Sequence, residues 1–154
     1  MARMKPEEIL SQARDEVLEE AFAALQHTAP AHYERAGETF TRARLGELFD
    51  LVVATIASRE LAPLSTRVEA IATERFGGGF DISEVQAAFN ALELAMWRRV
   101  VTATPSEELA ESIGLLSTVM GFAKDALARR YISLASDRHV QSLDLSALFT
   151  GVSS

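Results

Sequence analysis

Three histidines are the residues of this chain best suited to bind a metal ion or to transfer a proton. A di-iron or di-manganese helical bundle needs a glutamate three positions before a histidine on each of two helices, and none precedes His27, His32 or His139. A haem pocket needs a histidine on the face of a mid-chain helix. His27 and His32 instead flank a predicted linker, and His139 follows the last long helix. We therefore predict no metal site and no cofactor.

Other residue types used in catalysis occur in arrangements that do not suit one substrate. Adjacent carboxylates at 19 and 20, and again at 107 and 108, point in different directions on a helix. The run 136–139 contains serine, aspartate and histidine, but consecutive residues rarely adopt the geometry of a catalytic triad. The glycines at 77–79 lack the lysine and the strand of a phosphate-binding loop. These patterns predict a protein that is not an enzyme.

A set of polar and aromatic side chains is the remaining candidate for a ligand pocket. Each member combines an apolar ring with a polar atom, as pocket-lining residues often do. The set comprises His32, Tyr33, Trp97 and Tyr131. Boundary residues whose polar ends lie in water have the same composition, and the sequence leaves both interpretations open. A small-molecule or haem-binding helical protein with an internal pocket is accordingly the alternative to the function predicted below.

Composition restricts the compartment and the class of partner. The 154 residues include no cysteine, which excludes disulfides and thiolate zinc sites, and no apolar run approaches the roughly 18 residues that span a membrane. A net charge of −7 argues against nucleic acid as the main partner, because phosphate binding needs a cationic face. We expect a cytoplasmic protein that binds neither nucleic acid nor membrane.

The spacing of apolar residues predicts an all-α bundle of about five main helices, the last of them long. No strand pattern competes with this prediction. The predicted helices run from Pro6 to about residue 28, from Thr39, from Pro63 to the glycines, from the Asp81 cap to about Thr102, and from about Pro105 to about Ser136. A linker at 28–33 separates the first two. We expect one domain over residues 1–139 and a tail over 140–154 that docks on the body or on a partner.

The corner between the third and fourth of these helices carries the strongest local signals. Three glycines end one helix, and Asp81 with Glu84 three positions later forms a capping box for the next. Phe80 and Val85 occupy the two positions of a hydrophobic staple. The local chemistry therefore predicts a sharp turn here.

The last predicted helix carries a heptad-like apolar seam, with successive residues four or three positions apart. The seam consists of Leu109, Ile113, Leu116, Met120, Ala123 and Leu127. It predicts either a face that packs on the core of its own bundle or an interface with a second copy of the chain, and the sequence leaves both open. We take it as the candidate dimer or partner interface.

From about Ile9 to Ser136, the chain resembles the N-terminal sensory domain of RsbR-type stressosome proteins, the RsbT co-antagonist family. Three stretches carry the likeness: HYER at 32–35, RARLGEL at 42–48 and FDISEVQAAF at 80–89. The resemblance implies a globin-like helical fold that usually lacks haem, forms a homodimer and passes a stress signal along its last helix to an output domain. Too few residues follow that helix for a STAS output domain, so we expect a separate regulatory protein to read the signal, or a domain for dimerisation or ligand binding alone.

Overall fold

The computed structural model describes the backbone of residues 4–153 and the side chains of 4–29, 31 and 34–140. Over this range the chain is all-α, as predicted, and has seven helices in place of about five. They are α1 (Pro6–Gln12), α2 (Arg14–Thr28), α3 (Pro30–Ala36), α4 (Glu38–Ser58), α5 (Ala62–Gly77), α6 (Ile82–Ala103) and α7 (Ser106–Ser153).

Both additional helices arise in the N-terminal part of the chain. The first predicted helix is interrupted at Ala13, whose φ of −105° and ψ of 15° leave the helical region. No proline or glycine lies at this break, so the sequence gives no local signal that the helix is interrupted there. The predicted linker at 28–33 contains the start of α3, because Pro30 occupies the first position of that short helix. A proline fits there because its missing N–H would have no partner within the helix.

The glycine corner has the predicted cap. The side chain of Asp81 accepts a hydrogen bond from the N–H of Ser83 at 3.2 Å, and Glu84 Oε1 accepts one from the N–H of Asp81 at 3.2 Å. Gly79 has a φ of +79°, a conformation that glycine adopts more readily than other residues. The capping box is therefore confirmed, and the turn depends on Gly79.

Helix α7 is longer than predicted. It contains 48 residues, about 72 Å of helix, against 22 residues in α6. The helix does not end near Ser136, and the backbone of 140–153 continues it without a break. The side chains of 141–154 lie outside the described residues, so docking of this tail stays a prediction.

The core is built around three helix–helix contacts. Helix α2 packs along α6, and both α5 and α6 pack along α7. The largest fully buried side chains include Phe49 of α4, Leu92 and Met96 of α6, and Leu116 of α7. Within the part of the chain that the structure describes, no helix is both long and apolar enough to cross a bilayer.

Candidate functional site

The heptad-like seam of α7 lies in the core of its own chain. Its four C-terminal members have an exposed fraction of 0%: Leu116, Met120, Ala123 and Leu127. Leu109 and Ile113 are partly buried, and Ile113 packs against the same core. Helices α5 and α6 occupy this face of α7. The interface predicted at the four buried residues is therefore corrected to core packing, because a second chain would reach them only by displacing α5 and α6.

The predicted pocket residues do not come together as a set. Tyr131 is 6% exposed and donates a hydrogen bond to the carbonyl of Phe80 at 3.1 Å, next to the start of α6. Trp97 is 41% exposed and lies about four helical turns further along α6. These two residues therefore cannot line one small pocket. The side chains of His32 and Tyr33 lie outside the described residues.

Three arginines and two phenylalanines form a cluster where α3, α4 and α5 meet the glycine corner. We call Arg35, Phe40, Arg44, Arg75 and Phe80 the arginine–phenylalanine cluster. The guanidinium carbon of Arg75 lies 4.3 Å from the ring centre of Phe40 and 4.7 Å from that of Phe80. Arg44 lies 5.1 Å from the ring of Phe40, and Arg35 lies 4.2 Å from the ring of Phe80. Each ring thus contacts two cations, and Arg75 is common to both.

The two outer arginines of the cluster have carboxylate partners. Arg35 Nη2 donates to Glu84 Oε2 at 3.0 Å. Arg44 Nη1 donates to Glu47 Oε2 at 2.8 Å, and its Nη2 donates to Glu74. These contacts balance the charges of both side chains at the rim of the cluster.

Arg75, at the centre, is arranged differently. It is 5% exposed, and its buried Nη1 has no hydrogen-bond partner among the described residues. Burial lowers the pKa of Arg75 below its ordinary value, and the neighbouring Arg44 cation lowers it further, while Glu74 opposes the change. A guanidinium stays protonated in a protein. The site therefore holds a buried positive charge with an unused donor, which is unfavourable unless something compensates it.

A small internal cavity adjoins this charge. Its volume is about 30 Å³, and Arg75, Arg44 and Thr41 supply its polar wall. The rest of the wall is mainly apolar and includes Leu25 and Phe89. A cavity of this size holds on the order of two water molecules. It is far smaller than the roughly 300–1,000 Å³ of a drug-sized ligand site, so haem does not fit in this conformation.

Helix α7 is attached to the same corner by several contacts. The hydroxyl of Tyr131 donates a hydrogen bond to the carbonyl of Phe80. The ring of Tyr131 also meets the ring of Phe76 edge-on, with the ring centres 5.7 Å apart. Burial raises the pKa of the Tyr131 hydroxyl, although the Arg75 cation opposes this effect. About two turns further along α7, the guanidinium carbon of Arg138 lies 4.6 Å from the ring centre of Phe76. The position of α7 is therefore coupled to the backbone on which the cluster is built.

A larger groove between α2 and α4 is built from charges that already have partners. Its volume is about 530 Å³. Arg14 binds both carboxylate oxygens of Asp50, at 2.8 and 3.0 Å, and Arg42 binds Glu38 at 3.1 Å as well as Glu19. The guanidinium groups of this groove are thus engaged with carboxylates. We therefore regard the smaller cavity beside Arg75 as the better candidate site.

Sequence reasoning missed Arg75, although a signal for it exists. The buried residues of α5 recur at helical spacing as Leu64, Val68, Ile71 and Ala72, and Arg75 continues that row. An arginine at the next position of an apolar stripe indicates a buried cation. The remaining cluster residues come from α3, α4 and the glycine corner, and their convergence depends on the tertiary fold.

Comparison with protein-family models, curated proteins and solved structures yields no match to this chain. Among the side chains that the structure describes, no three carboxylates or histidines are grouped so as to hold a metal ion.

Proposed function

We propose that this chain is a non-enzymatic sensory or regulatory domain of globin-like fold that acts through dimerisation and protein contacts in the cytoplasm, as the RsbR-type sensors it resembles do. The observation that carries the proposal is the course of α7. This helix contacts the glycine corner through Tyr131 and continues without interruption to Ser153. A change at the corner can therefore alter the surface that α7 presents to a regulatory protein.

The mechanism is a shift between two packings of α7. A ligand or partner changes their populations only through different affinities for the two packings. Residues 135–140 of α7 are all exposed, so a partner can reach this part of the helix directly. Interface shifts of helices in regulatory proteins amount to about 1–2 Å, which is enough to change how side chains fit a partner.

The family resemblance supports the proposal through the positions of its motifs. Each of the three matching stretches supplies one member of the arginine–phenylalanine cluster. They are Arg35 from the first stretch, Arg44 from the second and Phe80 from the third. The first two residues are 9 positions apart and Phe80 follows Arg44 by 36 positions, yet all three lie beside one buried cation, which favours a shared role at this site.

The dimer contact needs a face other than the buried seam. Leu94 and Trp97 are exposed by 44% and 41%, and because they lie three positions apart on α6, they share one face of that helix. Large apolar side chains on one exposed face are typical of interaction sites. We assign this face to contact with a second copy of the chain.

The sole tryptophan makes the dimer proposal testable without knowledge of the signal. Trp97 is the only tryptophan in the chain, so its fluorescence reports this face alone. Raising the protein concentration from nanomolar to 100 micromolar should shift its emission to shorter wavelength while sedimentation detects a dimer. Leu94→Glu should abolish both effects, whereas Ala57→Glu, at an exposed position of α4, should abolish neither. A monomer at every concentration would refute dimerisation through this face.

A further inference from the structure

We infer that the exposed face of α7 pairs with the same face of a second copy of the chain, with the two helices antiparallel and crossing near residue 127. Because a second copy is the partner in both cases, this pairing rests on the proposed function. It adds a second surface to the dimer contact and gives that contact an orientation and a register.

The large exposed apolar residues lie on only two helices of the part of the chain with described side chains. Leu94 and Trp97 belong to α6, and Ile132 and Val140, which are 64% and 52% exposed, belong to α7. Two side chains on α6 offer far less than the about 800 Å² that each partner buries in a typical stable interface. The contact therefore needs a further surface, and α7 carries the other exposed apolar residues.

Helix α7 lies beside α6 and runs in the opposite direction. Lys124 of α7 binds Glu93 within α6 at 2.8 Å, and the later Tyr131 reaches Phe80, which precedes α6. Trp97 is about one turn beyond Glu93, so it lies beside the turn of α7 that precedes Lys124. The exposed face of α7 therefore continues the apolar face of α6.

Six exposed residues define what we call the outer row of α7. Neighbours in the row are 3, 4, 7 or 8 positions apart, close to one or two whole turns, and so share a face. The row comprises Gly114, Gly121, Asp125, Arg129, Ile132 and Val140. A methyl group added at either glycine would meet no atom within 4 Å. Each glycine thus leaves open space in which a side chain of another helix can pack.

The apolar residues and the glycines of the outer row are complementary about one point. In an antiparallel pair related by a two-fold axis, all contacting pairs share one midpoint in sequence. Gly114 and Val140 have their midpoint at residue 127, and the midpoint of Gly121 and Ile132 lies between 126 and 127. A single register therefore packs both exposed apolar side chains of one copy over the glycines of the other, large against small.

The charges of the outer row select the antiparallel orientation. Asp125 and Arg129 also have their midpoint at residue 127, so each carboxylate faces an arginine of the other copy in that register. The two side chains pair at 2.9 Å within their own helix, yet they stay 55% and 80% exposed and so accessible to a partner. A parallel pair would place aspartate against aspartate and arginine against arginine, which is repulsive.

Cysteine cross-linking tests the orientation, because the chain has no cysteine of its own. Gly121→Cys and Ile132→Cys proteins are oxidised separately and as an equimolar mixture, at a concentration where sedimentation detects a dimer. The mixture should give a disulfide-linked dimer with one chain of each variant. Neither variant alone should cross-link, since like positions are about 15–18 Å apart along the antiparallel helices, too far for a disulfide.

The outcomes separate this pairing from dimerisation itself. Cross-linking of each variant with itself would show a parallel pair and overturn the inference, while the proposed dimer would stand. A dimer that sedimentation detects but that gives no cross-link in the mixture would also overturn it. A monomer at every concentration would refute the proposed dimer as well.

Exchange of the two charges tests the register. Asp125→Arg and Arg129→Asp each place like charges against each other, and each should weaken self-association roughly tenfold. An equimolar mixture of the two variants restores opposite charges at both contacts and should associate as tightly as wild type. Asp137→Arg makes the same change at an exposed position outside the row and should leave association unchanged. A mixture that associates no better than its components would contradict the register.

Discussion

Replacing Leu116 by alanine tests whether the seam of α7 is core or interface. Leu116 has no exposed surface and belongs to the main cluster of buried residues. Truncating a buried leucine to alanine removes apolar contacts and leaves a cavity. This change lowers the free energy of unfolding by about 3–5 kcal/mol. Total stabilities of about 5–15 kcal/mol are usual, so the variant should retain a helical fold with a large loss of stability.

Urea unfolding followed by circular dichroism measures this loss, and sedimentation measures oligomeric mass in parallel. The matched control is Leu94→Ala on α6, where the side chain is 44% exposed and the expected change is under about 1 kcal/mol. Leu116→Ala should lose stability without weakening the self-association of the folded protein. Leu94→Ala should weaken self-association with little loss of stability. A Leu116→Ala protein of wild-type stability that no longer dimerises would refute core packing of the seam.

Three further substitutions have defined outcomes. Tyr131→Phe removes the hydrogen bond from the Tyr131 hydroxyl to the carbonyl of Phe80 and should cost about 1–2 kcal/mol in urea unfolding; an unchanged stability would contradict that hydrogen bond. Gly79→Ala should cost about 1 kcal/mol because its φ is +79°, with space for the methyl group, whereas Gly77→Ala, which has the same space and no positive φ, should not destabilise the protein. The side-chain hydrogen bond from Ser83 lowers the pKa of Asp81, so the stabilisation from this carboxylate is present above the unfolded pKa of about 3.9 and is lost as pH falls through the folded pKa. Asp81→Asn should therefore flatten the dependence of unfolding free energy on pH between about pH 5 and pH 2. The same dependence in the variant and the wild type would contradict the lowered pKa.

Local sequence signals predicted the parts of the fold that depend on neighbouring residues. The Asp81 cap, the glycine turn and the start of α7 after Pro105 follow from side chains within a few positions, and they were predicted correctly. The break at Ala13 has no such signal because alanine favours a helix. Its position is set by packing, so α1 and α2 appeared as one helix in the sequence.

The candidate site was less predictable because it is assembled from distant segments. The apolar spacing of α7 was correct, but spacing alone does not identify which helices cover the seam. The sequence indicated polar aromatic residues, histidine and tyrosine among them, as candidates to line a pocket. The buried polar centre is instead an arginine between two phenylalanines. Only the row that Arg75 continues on α5 was visible in the sequence, and its partners Phe40 and Phe80 come from separate elements.

The coupling between the Arg75 cavity and α7 is the central claim, and a distance measurement tests it most directly. The chain has no cysteine, so Ala23→Cys on α2 and Asp137→Cys on α7, both at exposed positions, allow two spin labels to be placed without background. Arg75→Met should shift the distance distribution between the labels by about 1–2 Å, and the same labels in Arg67→Met, at an exposed position of α5, should show no shift. If the distribution in Arg75→Met is the same as in the wild type, the coupling between the buried cation and α7 is contradicted.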